Sequence, residues 1–288
     1  PKSSGVLAEK FTMPPFTILD ARSGFWQKRK RAWLSCGLAS ELGRKKDLLR
    51  ISKNITETKK ILNSSVFDPV LAELAYRWFS PEGGQIVDPF AGGSVRGIVA
   101  GALGRSYWGC DLRPEQVAEN EMQLDTIATA VRPIWVCGDS METLRESPEA
   151  DMVLSCPPYG DLEKYSDDPR DLSTMDWHAF VAAYKRIILR TVSRMKSDTF
   201  ACWVVGDFRD KRGFYRNFVS ITIDAFEQCN AQLYNEAILA TSVASAGMRA
   251  GLQFKRSRKL TKVHQNVLVF CKGDWRKAAA KCGDIGYD

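Results

Sequence analysis

The sequence predicts an α/β protein in which helices cover both faces of a largely parallel β-sheet. Short apolar runs alternate with longer segments of helical character from residue 66 onward, and this pattern is typical of strands joined by helical crossovers. Because crossovers separate the strands, we expect most of them to run parallel. The composition, 44% hydrophobic and 26% charged, is that of an ordinary globular protein.

The individual elements follow from hydrophobic pattern and from residues that begin or end helices. The predicted strands are Gln85–Asp88, Tyr107–Cys110, Pro133–Cys137, Met152–Ser155, Phe200–Val205, Gln232–Leu239 and Val263–Phe270. The predicted helices are Asp68–Trp78, Gly93–Gly104, Arg113–Ala130, Asp176–Met195 and Phe214–Cys229. A polar, basic stretch at 241–262, without a convincing helix, links the last two strands, so we expect an antiparallel hairpin at one edge.

Three segments are predicted along the chain. Residues 1–64 form a basic, mainly helical N-terminal extension, most helical at 24–50, residues 65–274 form the main domain, and residues 275–288 form a C-terminal tail. No apolar run reaches the roughly 20 residues that cross a bilayer, and the first residues lack the apolar core of a signal peptide. We therefore expect a cytoplasmic protein with no membrane partner. The sequence does not specify its oligomeric state.

The net charge is +7, and its basic residues cluster at 28–31, 44–46, 209–216 and 255–259. Any one run could be a solvated face. Two of the four lie beside aromatic residues, however, and clustered basic side chains suit a polyanion because they neutralise phosphates and release counterions. The residues predicted to contact nucleic acid are Lys28, Arg29, Arg31, Arg209, Arg212, Arg256 and Arg258.

The eight cysteines are spread singly, with no CxxC pair and only two histidines as possible co-ligands. This spacing argues against a metal site and against a disulfide scaffold. Most of the cysteines are expected to be small buried apolar residues. Cys156 differs because of its neighbours.

A glycine-containing turn follows the first strand of the main domain, between Asp88 and Gly97. Gly92 and Gly93 can adopt positive φ and let backbone amides approach a ligand at the positive end of the next helix. Any sharp strand-to-helix turn also favours glycine, so this signal alone is weak. The turn departs from GxGxxG, which disfavours a dinucleotide.

Acidic residues follow the next two strands. Asp111 ends the second strand, where a carboxylate can accept hydrogen bonds from ribose hydroxyls, and Asp139 follows the third, where it can contact a purine amino group. Each could instead cap a helix. Because open α/β sheets bind ligands at the carboxyl edge of the strands, the combination predicts a nucleoside site.

The fourth strand runs into Ser155 and the sequence Cys-Pro-Pro-Tyr at 156–159. Successive prolines fix φ and remove amide donors, while Tyr159 adds a π-face. Such a rigid turn can stack a flipped-out base on Tyr159 while the Pro157 carbonyl accepts a hydrogen bond from its exocyclic amine. An acidic loop at 161–168 follows, which either closes over the base or is solvated.

Together these turns resemble the motifs of amino-methylating DNA methyltransferases. Residues 88–93 (Asp-Pro-Phe-Ala-Gly-Gly) resemble the DPFxGSG cofactor motif, and residues 156–159 resemble the (D/N/S)PP(Y/F/W) catalytic motif. Residues 66–69 resemble the segment that packs over the cofactor's amino-acid end. The resemblance covers about residues 65–272, and short segments at 14–16 and 24–27 extend it to bacteriophage-encoded members.

This resemblance implies a Rossmann-like class I methyltransferase sheet, S-adenosylmethionine as cofactor, and methylation of the exocyclic amine of cytosine (N4) or adenine (N6) in DNA. The residues expected in catalysis are Ser155, Cys156, Pro157, Pro158 and Tyr159. The residues expected at the cofactor are Phe67, Asp68, Asp88, Pro89, Phe90, Ala91, Gly92, Gly93, Asp111, Leu112, Asp139 and Ser140. The short chain between the motifs leaves target selectivity to the N-terminal extension and loops.

Cys156 departs from the family pattern, which has Asp, Asn or Ser before Pro-Pro, and a thiol is a weak hydrogen-bond acceptor. Ser155 and Cys156 most resemble the Thr-Ser of cytosine-N4 enzymes, but both target bases stay open. A Cys156 thiolate could instead add to C6 of a pyrimidine for C5 methylation, although C5 enzymes place cysteine after proline. An RNA base methyltransferase, a glutamine methyltransferase and a catalytically silent nucleic-acid-binding protein are further alternatives.

Overall fold

The computed structural model describes residues 13–38, 67–162, 164–241 and 246–285. Its strands are β1 Ile18–Asp20, β2 Gln85–Asp88, β3 Ser106–Asp111, β4 Ile134–Cys137, β5 Ala150–Ser155, β6 Met195–Val205, β7 Ala231–Ala240 and β8 His264–Lys272. Its α-helices are α1 Gly24–Ser35, α2 Pro69–Phe79, α3 Val95–Ala102, α4 Pro114–Leu124, α5 Ser140–Thr143, α6 Trp177–Arg194, α7 Phe218–Glu227, α8 Ala246–Ser257 and α9 Trp275–Cys282.

All eight strands form one sheet in the order β1-β7-β8-β6-β5-β2-β3-β4. The neighbours from β6 to β4 are parallel, β8 is antiparallel to both β6 and β7, and β1 pairs in parallel with β7. This order and these directions are those of the Rossmann-like class I methyltransferase sheet, to which β1 adds an eighth strand. The predicted fold class is confirmed.

The two faces of the sheet bury different side chains because successive residues of a strand point to opposite sides. Ile86 and Met152 belong to a core under α2, α3 and α9, whereas Val87 and Val153 belong to a core under α6 and α7. Close approach is visible at Gly97 of α3, where an added Cβ would lie 2.4 Å from the Trp135 ring. Only glycine permits this packing of α3 on the sheet.

Several details differ from the sequence-based expectations. The β7–β8 pair is antiparallel but interior, because β1 covers its outer side. The stretch predicted to lack a helix contains α8, and residues 209–215, where a helix was expected to begin, form a tight hairpin with a bridge between Arg209 and Tyr215. Residues 275–282, within the predicted tail, form α9, whose Ala278 is buried.

The N-terminal extension is described at residues 13–38, where it contributes both β1 and α1. The strand was not expected, since it spans three residues and pairs only with the distant β7. The basic run at 44–46 and the end of the predicted helical stretch 24–50 lie outside the described residues.

Candidate active site

The glycine-containing turn after β2 is tied to the end of β3. Gly92 adopts φ +50 and its amide donates a 3.0 Å hydrogen bond to Oδ2 of Asp111, while the Arg113 amide donates to Oδ1 at 2.9 Å. The Asp111 side chain is 14% exposed, and its burial raises the pKa of the carboxyl above its usual value. A partly desolvated carboxylate with remaining lone pairs therefore faces the carboxyl edge of the sheet.

Below this turn, Asp88 is a fully buried carboxylate with four hydrogen-bond donors. Oδ1 accepts from the Phe90 amide at 3.1 Å and from the Ser155 hydroxyl at 2.6 Å. Oδ2 accepts from Arg96 Nε at 2.6 Å and from the Tyr107 hydroxyl at 2.8 Å. Asp88 therefore holds the loop from within.

Arg96 completes this buried network. Its Nη2 donates to the carbonyls of Phe90 and Ala91, so the guanidinium spans the inside of the turn. Burial disfavours its charge, but the adjacent Asp88 carboxylate outweighs this effect and raises the pKa of Arg96. The ring of Phe67 lies 4.5 Å from the same guanidinium, which places the segment before α2 over the turn.

Asp68 has two structural contacts at the rim of the site. Its Oδ1 caps α2 by accepting from the Val70 amide at 2.9 Å, and its Oδ2 pairs with Lys30 of α1 at 2.9 Å. The N-terminal extension is thus joined to the segment that precedes α2.

Asp139 and Ser140 follow β4 at the same edge. Oδ1 of Asp139 caps α5 by accepting from the Met141 amide at 2.9 Å, so the capping alternative holds for that oxygen. The Ser140 hydroxyl donates to the Pro89 carbonyl at 2.5 Å and thereby supports the turn after β2.

The structure separates the residues expected at the cofactor into a buried and an accessible set. The buried ones are Asp88, Pro89, Ala91 and Ser140. Those with partly exposed surface are Phe67, Asp68, Phe90, Gly92, Gly93, Asp111, Leu112 and Asp139.

The Cys-Pro-Pro-Tyr turn begins where β5 ends, beside β2 in the sheet. Ser155 and Pro157 are buried, whereas Cys156, Pro158 and Tyr159 are half-buried. Since β2 and β5 are parallel neighbours, with Val87 opposite Val153, both turns emerge on one side of the sheet.

Tyr159 is held by contacts on its ring and on its hydroxyl. The ring packs edge-on against Phe208 and Phe218, with centroids 6.0 and 6.1 Å away, and the hydroxyl accepts a 2.8 Å hydrogen bond from Gln265 Nε2. Burial raises the pKa of Tyr159 well above its usual value, so it stays protonated at neutral pH. The Cys-Pro-Pro-Tyr turn therefore presents a fixed, neutral aromatic ring.

An arginine lies beside this aromatic group. The Arg216 guanidinium stacks 4.5 Å from the Trp177 ring, and Trp177 contacts Phe208 at 5.8 Å. Nε of Arg216 is buried, and within the described ranges no carboxylate or carbonyl accepts a hydrogen bond from it. Nε of Arg216 is therefore a buried donor with no acceptor among the described residues.

The residues predicted to contact nucleic acid fall in two regions. Arg29 is only 4% exposed and is bound by the buried Glu73 carboxylate at 2.6 Å, so its charge is used within the fold. Exposed positions on α1 are Lys28 and Arg31, and those at the carboxyl edge of the sheet are Arg212, Arg256 and Arg258. Arg209 is half-buried in the hairpin.

Sequence reasoning missed Arg96, Tyr107 and Gln265, and it included Arg216 only as part of the basic run 209–216. Arg96 had a local signal, since an arginine just inside the helix after a glycine-containing turn can reach back to the strand. Gln265 had none, because it follows Tyr159 by 106 residues. Glu163 of the acidic loop lies outside the described residues.

No helix in the described part of the chain is both long and apolar enough to span a membrane. No protein-family model and no curated protein matches the sequence.

Solved structures do resemble it. TrmN from Thermus thermophilus has 14% identity over 73% of this chain and 50% of that one, with TM-score 0.49. A candidate RNA methyltransferase from Pyrococcus horikoshii has 14% identity over 86% and 100%, with TM-score 0.49. Magnesium protoporphyrin IX methyltransferase from Synechocystis, solved with bound SAM, has 9% identity over 70% and 76%, with TM-score 0.45. The chain thus spans half the length of TrmN.

Proposed function

We propose that the protein transfers a methyl group from S-adenosylmethionine to the exocyclic amine of a base in DNA, cytosine N4 or adenine N6. The observation that carries this proposal is the 2.6 Å hydrogen bond from Ser155 to Asp88. It joins the start of a nucleoside-binding turn to the start of the Cys-Pro-Pro-Tyr turn at one edge of the sheet. The reacting groups of cofactor and target base would meet there.

The accessible residues of the first turn fit the cofactor. Both oxygens of Asp111 accept one backbone N–H each and keep lone pairs for ribose hydroxyls. Asp139 keeps an oxygen that accepts no hydrogen bond from the described residues and suits a purine amino group. When bound, S-adenosylmethionine supplies an electrophilic methyl group.

The second turn fits a planar base. Tyr159 offers a ring whose orientation is fixed by Phe208, Phe218 and Gln265, and the Pro157 carbonyl and Cys156 lie beside it in the chain. An amine whose hydrogens are held by these acceptors directs its nitrogen lone pair toward the methyl group. The held amine would take the methyl group that the bound cofactor supplies, the cofactor would leave as its thioether, and the extra proton on nitrogen would pass to water.

Arg216 would bind the phosphate of the extruded nucleotide. Its guanidinium is oriented by Trp177, close to the aromatic rings around Tyr159, and its Nε has no hydrogen-bond acceptor among the described residues. Arginine suits phosphate because its planar guanidinium donates parallel hydrogen bonds.

Incubation with labelled S-adenosylmethionine and DNA, RNA or protein tests this function, followed by mass spectrometry of the nucleosides. N4-methylcytosine or N6-methyladenine in DNA is expected. Incorporation confined to RNA or protein, or none despite cofactor binding, would overturn the proposal.

Cys156→Ser separates amine from C5 chemistry. The variant should keep activity, since a hydroxyl accepts a hydrogen bond at least as well as a thiol. C5-methylcytosine together with a covalent DNA adduct trapped only by the wild type would assign Cys156 as a nucleophile instead.

A further inference from the structure

The hairpin at 209–215 carries an exposed aromatic tip. Phe214 is 68% exposed and Tyr215 is 43% exposed. Isolated exposed aromatic residues are common, but these two belong to an organised group of contacts.

The tip is held rigidly by the turn itself. The Asp210 amide donates to the Phe214 carbonyl at 2.8 Å, and the Phe214 amide donates back to Asp210 Oδ1 at 3.0 Å. Gly213 adopts φ +94, a conformation that side chains other than glycine rarely take, and its amide donates to the Asp210 carbonyl at 2.9 Å. The turn therefore fixes the backbone that carries Phe214, which reduces the conformational entropy lost on binding.

Cations surround the aromatic rings. Arg209 stacks 3.9 Å from the Tyr215 ring, and the 82% exposed side chain of Arg212 lies 5.9 Å from the Phe214 ring. Lys259, from the loop after α8, lies against Gly213. Aromatic faces combined with basic side chains are the combination that binds unpaired nucleotides, through base stacking and phosphate contacts.

The hairpin is joined directly to the catalytic turn. Phe208, at its base, packs on Tyr159, and the Phe208 carbonyl accepts a 2.9 Å hydrogen bond from the Arg216 amide. The aromatic tip thus lies on the same edge as the ring proposed to stack the target base.

We propose that Phe214 stacks on an unpaired DNA base next to the target nucleotide, so that the substrate is single-stranded DNA. The inference rests on the proposed function for the identity of the target, but not for the stacking itself. Stacking is tolerant of sequence because every base has a π-face.

Fluorescence anisotropy of the full chain with labelled oligothymidine, which forms no duplex, tests the proposal. Phe214→Ala should weaken binding by about 5- to 100-fold, the effect of losing one base–aromatic stack. Phe214→Trp should restore the affinity. On a DNA duplex of equal length, Phe214→Ala should weaken binding much less. Trp275→Ala is the matched control, because Trp275 is 43% exposed and has Arg276 stacked on its ring but follows β8 at the opposite edge of the sheet.

Four outcomes would overturn the proposal: no oligothymidine binding by the wild type, unchanged affinity of Phe214→Ala, equal loss on oligothymidine and duplex, or tighter binding of oligouridine. Methyl incorporation is measured in parallel on duplex and heat-denatured DNA. Phe214-dependent oligothymidine binding without methylation would refute the proposed function and leave the stacking role standing. Methylation without Phe214-dependent oligothymidine binding would refute the stacking role and leave the proposed function standing.

Discussion

The Ser155 hydroxyl donates a 2.6 Å hydrogen bond to the buried carboxylate of Asp88. The two residues end neighbouring parallel strands and lie 67 positions apart in the chain. Arg96 and Tyr107 saturate the other carboxylate oxygen, so the contact is part of one rigid polar network. A change at either residue should affect both turns of the candidate site.

Ser155→Ala should lower the free energy of unfolding by about 1.5–3 kcal/mol, because a hydrogen bond to a buried charge is lost. Methyl transfer should fall further than cofactor affinity, since the catalytic turn loses its anchor. Urea denaturation and methyl incorporation measure the two effects. Ser193→Ala removes an exposed serine whose hydroxyl, among the described residues, bonds only to the Arg190 carbonyl, and it should change neither; equal stability of the two variants would contradict the assignment.

Cofactor affinity should depend on pH through Asp111. Ribose binding requires the carboxylate, and burial raises the pKa of Asp111, so affinity is present above that pKa and declines as pH falls through it, at higher pH than for an ordinary aspartate. Calorimetric titration with S-adenosylmethionine should also show Asp111→Ala weakened by about 10- to 100-fold. Exposed Asp125 provides the control variant Asp125→Asn; a wild-type pH profile retained in Asp111→Ala would refute the ribose contact.

Local signals account for what could be predicted from the sequence. Apolar runs, helix caps and the two motif turns each lie within a short stretch of sequence. They therefore predicted the strands and the edge of the sheet that carries the site. Contacts between distant residues had no such signal: the basic run containing Arg29 predicted a nucleic-acid contact, but Glu73, 44 residues later, binds that guanidinium. Strand β1 escaped prediction for the same reason, since its pairing with β7 depends on the assembled sheet.

Glu73→Gln should destabilise the fold by about 3–5 kcal/mol, because it removes the carboxylate charge that is paired with the buried Arg29 guanidinium. Glu73 is fully buried and accepts hydrogen bonds from Arg29, Arg77 and Trp33. Thermal and urea denaturation measure the loss. Glu142→Gln breaks an exposed pair with Arg145 and should cost at most about 0.5 kcal/mol; similar losses for both variants would show that α1 contributes little to the fold.

Arg216→Gln should weaken DNA binding and reduce the slope of log affinity against log salt by about one, as expected for one lost phosphate contact. Cofactor affinity should not change. Arg276→Gln is the matched control, because Arg276 stacks 4.3 Å from the Trp275 ring on α9, which follows β8 at the opposite edge of the sheet. An unchanged salt slope in Arg216→Gln would exclude the phosphate contact.

Tyr159→Ala should abolish methyl transfer while cofactor binding and the unfolding transition remain measurable, because the ring is partly exposed and the turn is fixed independently by its prolines. Tyr159→Phe keeps the stacking face and loses only the hydrogen bond from Gln265. Its methylation rate should therefore stay within about tenfold of the wild type, the effect of roughly one hydrogen bond. Steady-state rates with saturating cofactor distinguish the two variants. If Tyr159→Ala is as active as Tyr159→Phe, the base does not stack on this ring; if both are inactive, the hydroxyl rather than the ring carries the function.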